Sequence, residues 1–486
     1  MATILGANTL SSAYDVANSC RFNDDDSAYM HVTRGSAGNQ RTFTISMWIK
    51  RVALGGGSST VYFFASGPDN NNSFSMHFTS TDQLEVWEYK SSAYQFRLKP
   101  KYQFRDVSAW YNVVVAVDTT QGTDTNRVKF YINGTQYTEF DTTNWPSENY
   151  DTYVNDDAKH WLGKYTDQSA YYDGYLAEVV VLDGTAASPT SFGEFDSNSP
   201  NVWKPIDVSG LTFGTAGYYL DFEDSSEFGK DVSGQGNHFG TVANIAATDQ
   251  STDTCTNNFA VCNSSDSFST GGTFSDGSLT TQSTTSNRGI FTATMGVSTG
   301  KWYWEIKTSA SGGTHASDEW NYIGIANNIG ASNTDNILAT SGTDSNAVYE
   351  YAIHGHDGDF YNNGDQGTYA ASFTTGDILG IFLDLDNNRI YWSKNGQWAD
   401  GSGNSDEADP NGFKSVTDPA STPGGFYFPA WGDGGSNMNK TWQLNFGGTP
   451  SFSISSANAD PNGYGSFEYP TEGGYALCTK NLAEFG

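Results

Sequence analysis

The sequence predicts an all-β protein built as two β-sandwiches in series, joined by a turn-rich connector. Three observations carry that expectation. Of 486 residues, 15 % are aromatic and 53 are glycine, while only 16 % are charged; such a composition suits many short strands and turns and does not suit disorder. Apolar residues recur at every second position in several short segments, the pattern of a strand with one face on a core. A sustained helical period is absent along the chain, and the length allows two or three domains.

The first block runs over residues 1–200. "RTFTISMWIKR" sets Phe43, Ile45, Met47 and Ile49 against Thr42, Thr44, Ser46 and Trp48, a half-buried strand. "AWYNVVVAVD" and "RVKFYINGTQY" supply two more strands, the second ending in Asn133-Gly134, a tight-hairpin signal. "HWLGKY" and "GYLAEVVVLDG" add another pair. Residues 201–290 form the connector. They are rich in turn formers, yet they hold Phe222, Phe228 and Phe259, which a flexible linker lacks. The next block spans 291–452. In "GKWYWEIKT", Trp302, Trp304 and Ile306 face one side and Tyr303, Glu305 and Lys307 the other. A short aromatic tail, 453–486, ends the chain.

The stretch "DILGIFLDLDNNRIYWSKNG" tests for metal chemistry. Asp384, Asp386 and Asn388 match the first three ligand positions of a calcium loop. Arg389 then stands where a glycine is required and Asn395 where a bidentate glutamate is required, so the stretch reads as a hairpin with Asn395-Gly396 opening the next turn.

Two segments resemble known families. "RFNDDDSAYMHV" followed by "FTISMWIKR", then "WYNVVVAVD…VKFYINGTQ", then "YYDGYLAEVVVLDGTAAS", resemble the laminin-G-like members of the concanavalin A-like lectin/glucanase superfamily over residues 18–195. The resemblance implies a two-sheet jelly roll, which periodicity alone does not separate from other sandwiches. "GKWYWEIKT", "YIGIANN", "VYEYAIHGHDGDFYNNG", the hairpin above and "GFYFPAW…TWQLNFGG" resemble a SPRY domain over 296–452, which implies a second sandwich that binds through its loops. This domain order, with the ending "GYALCTKNL", resembles a class of tailed-bacteriophage virion proteins, among them tail fibres, spikes and decorations.

Glucanases of the superfamily carry E-x-D-x-x-E on one strand. Here "EFDTTN" gives Glu139, Asp141 and Asn144, and "EFDSNS" gives Glu194, Asp196 and Ser199, each lacking the final acid that would transfer the proton. His354 and His356 with Asp357 and Asp359 read as a strand and turn or as a metal site. Laminin-G-like domains often hold calcium at the sheet rim, and Asp24, Asp25, Asp26 and Asp173 are the acids available, the alternative being solvated turn acids. Cys255 and Cys262 are close enough in sequence to pair, and no Cys pair has zinc-site spacing. Glycan binding needs aromatic faces beside polar groups; Trp145, Tyr171, Tyr172 and Asp173 lie in loop-like sequence and are the candidate ligand residues.

The net charge is −31, with −9 in residues 1–200 and −22 in the rest, which argues against nucleic acid and anionic membranes as partners. No secretory signal or apolar span is evident, so the chain is expected in the cytoplasm of a host and then in a virion. The expected function is a non-enzymatic tail fibre or spike component, a homotrimer assembled with other virion proteins, that binds a host-surface glycan or protein. A decoration protein without a ligand and a glycan hydrolase with an unrecognised site are the alternatives.

Overall fold

A computed structural model describes residues 14–52, 54, 61–197, 199–264, 272–283, 290–311, 320–327, 338–340, 347–434 and 439–486. They fall into two compact units, Leu10–Thr256 and Asn257–Gly486.

The first unit contains β1 (Ser19–Phe22), β2 (Tyr29–Thr33), β3 (Thr42–Arg51), β4 (Val61–Asp69), β5 (Asn72–Phe78), β6 (Leu84–Lys90), β7 (Ala93–Pro100), β8 (Trp110–Asp118), β9 (Val128–Ile132), β10 (Thr135–Tyr137), β11 (Phe140–Asn144), β12 (Lys159–Leu162), β13 (Gly174–Asp183), β14 (Gly193–Phe195), β15 (Trp203–Pro205), β16 (Tyr218–Leu220), β17 (Thr241–Ala243) and β18 (Gln250–Ser251). One sheet has the order β10-β9-β8-β3-β13-β1-β18, with β16 also on β13. The other has the order β11-β7-β6-β5-β4-β12-β2-β17. A core of Phe43, Ile45, Met47 and Ile49 from β3 and Phe74, Met76, Val86, Phe96 and Leu98 from the second sheet lies between them. This is the two-sheet sandwich the alternation predicts. The Asn133-Gly134 turn takes φ of 47° and 75° and joins Ile132 to Thr135, as its sequence requires.

The other face of β3 departs from the expectation of a half-buried strand: Thr44, Ser46, Trp48 and Lys50 are buried too. The chain following β13 covers them. Phe192, Val208, Phe213 and Tyr219 pack on Val114, Val180 and Leu182, and Trp203 joins Trp48, Trp110 and Tyr175. The Trp203 indole donates to Asn112 Oδ1 at 3.1 Å. Residues 201–256 of the expected connector thus belong to the first unit, while 257–290 belong to the second. Trp203, Val208, Phe213 and Tyr219 clad the outer face of the first sheet, whereas Phe222, Phe228 and Phe239 enter the core between the sheets and β17 adds a strand to the second sheet. The cladding is fastened by charge. Lys50 Nζ, fully buried, donates to Asp253 Oδ2 at 2.6 Å, and the Trp110 indole donates to Asp253 Oδ1 at 2.9 Å. Burial lowers the Lys50 pKa and Asp253 works against that shift.

A bulge in β13 between Ala177 and Val180 places Glu178 at φ 50°, a left-handed backbone a glutamate adopts only under constraint. Its carboxyl accepts from the Tyr219 and Tyr14 hydroxyls at 2.9 and 3.0 Å.

The second unit contains β19 (Thr273–Ser275), β20 (Thr280–Gln282), β21 (Ile290–Thr292), β22 (Lys301–Ser311), β23 (Asn321–Ala326), β24 (Glu350–His354), β25 (Asp359–Tyr361), β26 (Asp365–Thr368), β27 (Ile378–Asp384), β28 (Arg389–Lys394), β29 (Gln397–Ala399), β30 (Ser405–Glu407), β31 (Lys414–Ser415), β32 (Phe428–Asp433), β33 (Lys440–Asn445), β34 (Tyr475–Ala476) and helix α1 (Thr479–Phe485). Its sheets have the orders β19-β20-β33-β22-β27-β28-β29-β30, joined by β31 and β34, and β21-β32-β23-β24-β25-β26. Trp302, Trp304 and Ile306 enter the core as their alternation predicts, with Trp392, Trp431 and Trp442. Tyr303 and Glu305 face the opposite side, which the tail covers. Glu305 accepts from Glu468 N, Tyr469 N, Asn445 Nδ2 and the Tyr303 hydroxyl at 2.9–3.1 Å. The segment tested for calcium is the β27–β28 hairpin closed by Asp384 and Arg389. Asn387 donates to both Asp384 oxygens, and Asn395 and Gly396 take φ of 49° and 79° in the following turn.

Two outcomes follow. Asp253→Ala leaves the buried Lys50 without its carboxylate and is expected to destabilise the first unit by about 3–5 kcal/mol, read by denaturant unfolding, with Lys50→Met/Asp253→Ala recovering part of the loss. Burial pushes Glu88, Glu178 and Glu305 each up to about 7 from an ordinary 4.5. Between those values the folded chain holds protons that the unfolded chain has lost, so this stability is present below the unfolded value and disappears as pH rises through 7. The buried His77 and His160, with pKa values lowered by burial from 6.5, act in the opposite direction, and their effect fades as pH rises past 6.5. The melting temperature is therefore expected to fall between about pH 6.5 and about pH 8, and Glu178→Gln to flatten that slope.

Candidate functional site

In the second sheet of the first unit, the pleat sends alternate residues away from the core. One rung crosses most of the sheet: Thr241, His31, Trp161, Ala65, Ser75, Trp87, Arg97 and Asn144 stand opposite one another in turn. The neighbours of these residues along each strand, such as Met30, Leu162, Phe64, Met76, Val86 and Leu98, are in the core. The rung therefore lies on the outer face. Trp161 and Trp87 flank the small Ala65 and Ser75, three strands and about 14 Å apart.

Tyr165 closes over the space between them. Gly163 takes φ 78° after β12, where an added Cβ would meet the Phe22 ring at 2.3 Å. The loop then returns on itself through a Lys164–Tyr171 bridge and a Tyr165 N to Ala170 O bond. The Tyr165 ring stacks on Tyr62 at 4.4 Å and meets Trp87 edge-on at 5.6 Å. Its hydroxyl donates to Asn70 O at 2.8 Å. Trp87, Trp161 and Tyr165 are 5, 3 and 9 % exposed and form a rigid floor. Around them Tyr29, Tyr62, Tyr89 and Tyr171 are half-buried and Tyr94 is 44 % exposed. A continuous aromatic face results, with a cation or polar group at each end.

At the β7 end, Arg97 makes a bidentate pair with Glu85 at 2.9 and 3.2 Å and lies 4.8 Å from the Tyr94 ring centre. His77 Nε2 lies 3.2 Å from Glu85. Burial alone would raise the Glu85 carboxyl, but His77 and Arg97 together hold it below its ordinary value. At the β2–β12 end, the Lys164 ammonium lies 4.4, 5.3 and 5.4 Å from the ring centres of Tyr29, Trp161 and Tyr171. Lys159 lies over Trp161 at 4.8 Å. His31 packs against Trp161 at 4.5 Å, and its pKa is lowered by burial and then by Lys159 and Lys164.

Of the ligand residues expected from sequence, Tyr171 is part of this face. Tyr172 is a correction: adjacent residues point to opposite sides, so its ring is fully buried against Phe22 and Phe63, and its hydroxyl donates to Lys50 O at 2.9 Å. Asp173 is buried at the start of β13. Trp145 follows β11 at the far edge of the sheet and packs edge-on against Phe140 beside the core, so it does not join Tyr171. Trp87, Tyr89 and Tyr94 were not singled out. The signal was the alternation in "LEVWEYK", where Leu84 and Val86 commit to the core and Glu85 and Trp87 must then face away.

Asp24, Asp25 and Asp26 form the exposed turn after β1, where Asn23 donates to Asp26 and accepts from Asp25 N. Among the described residues no group of three or more His, Cys, Asp or Glu gathers as metal ligands, Asp24–Asp26 and Asp173 included. His354 uses both ring nitrogens: Nε2 accepts from Trp320 N at 3.0 Å, so Nδ1 carries the proton and donates to Asp357 at 2.9 Å. Glu139 is exposed near Lys101, and Asp141 accepts from Gln83 on the edge strand. Glu194 and Asp196 pair with Lys204. Cys20, Cys255, Cys262 and Cys478 are all free thiols, so the pairing that the short spacing of Cys255 and Cys262 leaves open is not made.

Comparison with known proteins separates the two units by family. Residues 24–190 match the family described as the concanavalin A-like lectin/glucanases superfamily, laminin-G type, and residues 301–409 match the SPRY domain. No curated protein matches the chain. Among solved structures it is similar to the SPRY domain of human HERC1, at 17 % identity over 38 % of this chain and 96 % of that one, with a TM-score of 0.28. It is also similar to a putative carbohydrate binding protein from Bacteroides ovatus, at 15 % identity over 48 % and 60 %, with a TM-score of 0.34. Mouse laminin alpha1 domains LG4-5 align at 9 % identity over 91 % of each chain, with a TM-score of 0.29. The chain thus carries a laminin-G-like domain of the concanavalin A-like superfamily followed by a SPRY domain.

Proposed function

We propose that this protein is a non-catalytic glycan-binding protein of a tailed-phage virion, a fibre or spike component that attaches the particle to a host surface. The observation that carries the binding role is the aromatic face of the first unit. Glycans present flat apolar faces edged with hydroxyls, and a rigid floor of Trp87, Trp161 and Tyr165 with accessible Tyr89, Tyr94 and Tyr171 offers rings to stack on and polar groups beside them. The phage assignment is supported by the resemblance of the whole domain order to virion proteins. The surface charge of −31 favours a glycan or protein partner over nucleic acid.

Binding without turnover is supported by the state of the acid on this face. A glycoside hydrolase needs one carboxyl held protonated as a general acid. Glu85 is held in the opposite state by Arg97 and His77. The raised Glu88 faces inward, where it accepts from the Tyr150 hydroxyl and Tyr153 N. Weak sites of this kind gain strength by repetition, so we place the chain in a homotrimer with other virion proteins at its attachment point.

The test is binding of the full chain to glycans extracted from the surface of susceptible cells. Tyr89→Ala/Tyr94→Ala is expected to weaken binding about thirtyfold, at roughly 1 kcal/mol for each ring, with the melting temperature unchanged. Release of reducing ends from the bound glycan, abolished by Glu85→Gln, would replace this reading with a hydrolase. Undiminished binding by the double variant would remove the aromatic face from the account.

A further inference from the structure

The two ends of the aromatic face differ in charge balance. At the β7 end Arg97 is matched by Glu85. At the β2–β12 end Lys159 and Lys164 have no ion pair among the described residues, and both depress the His31 pKa, behind the effect of burial. Asp167, in the same loop, acts on His31 in the opposite sense, with less effect than either lysine. This positive end stands out in a chain of net charge −31. Two further groups there seek partners: the Trp161 indole N–H and His31 Nδ1 are buried with no hydrogen-bond partner among the described residues. An indole N–H can only donate, so what completes it is an acceptor.

We propose that this end of the face selects an acidic polysaccharide, one bearing carboxylate or sulfate groups. The inference rests on the glycan-binding reading above and adds the ligand's chemical class. The sugar ring stacks on the accessible faces of Tyr29 and Tyr171, while its anionic group meets the Lys164 ammonium between them. Three rings fix that ammonium in place before any ligand arrives, so little side-chain entropy is lost on binding. Lys159 adds a second charge, and an anionic oxygen is the acceptor type that the Trp161 N–H lacks. The acidic remainder of the chain repels such a polymer elsewhere and confines it to this end.

The test uses the full chain with three polymers: polygalacturonate for carboxylate, dextran sulfate for sulfate, and dextran as the neutral control, at about 0.02 M and about 0.3 M salt. Tighter binding of at least one anionic polymer than of dextran, by about tenfold, and weakening with salt, are the expected results. Which anionic polymer binds tells carboxylate from sulfate. Lys159→Gln/Lys164→Gln should lose about tenfold in affinity, Lys164→Arg should keep most of it, and Lys230→Gln/Lys301→Gln, which removes equal charge elsewhere, should lose little. Dextran binding as tightly as the anionic polymers, with the lysine variant unaffected, overturns the inference and leaves the glycan reading standing. Failure of all three polymers and of the cell-surface glycans overturns both. Salt-sensitive self-association that disappears in Lys159→Gln/Lys164→Gln would assign this end to the acidic surface of a second copy instead, and would also overturn the proposal.

Discussion

The aromatic face depends on the pleat of a single sheet. In β6 the core takes Leu84, Val86 and Glu88, so Glu85 and Trp87 have no choice but to face outward. The same constraint in β12 sends His160 and Leu162 in and Lys159 and Trp161 out. Because neighbouring strands hold their register, these outward residues meet as one rung with His31 and Arg97. A slip of one residue in β7 would bury Arg97 and expose Phe96, and one in β12 would bury Lys159 and expose Leu162, which makes the register costly to lose. The face is thus as rigid as the core that fixes it, and only its outer ring of tyrosines is free to meet a ligand.

The two outer faces of the first sandwich have different fates for a physical reason. The first sheet presents Trp48, Trp110, Val114, Val180 and Leu182 outward, an apolar surface that water penalises. Phe192, Trp203, Val208, Phe213 and Tyr219 cover it, and the buried Lys50–Asp253 pair fixes the end of the same segment. The second sheet presents tyrosines, lysines, Arg97 and His31, groups whose polar ends tolerate water. It needs only the short 163–171 loop, which covers the two tryptophans and leaves the rim open. In the second unit the tail has the corresponding task, with Glu468 N and Tyr469 N donating to Glu305 of β22.

Much of the fold was legible because its signals are local. Period-two alternation found β3 and β22, and Asn-Gly pairs found turns whose positive φ values the structure shows at Asn133-Gly134 and Asn395-Gly396. What was not legible depends on distant segments. Alternation marked Thr44 and Ser46 as the exposed side of β3, and only the covering chain, far along the sequence, buries them. Of the adjacent pair expected from sequence, Tyr171 lies on the aromatic face and Tyr172 in the core, since one residue of offset turns a ring from the rim inward. The shared rung of Trp87 and Trp161 is a product of strand order that no window of sequence contains. Trp145 had the composition of a ligand residue but lies at the opposite edge of the sheet.

The most direct measurement of the central claim is hydroxyl-radical footprinting of the full chain with and without saturating host-surface glycan. Each accessible tyrosine then reports its own contact. The account predicts protection concentrated at Tyr29, Tyr89, Tyr94 and Tyr171, with tyrosines of the second unit unchanged. Protection confined to the second unit, or no protection of these four while glycan is bound, would contradict it.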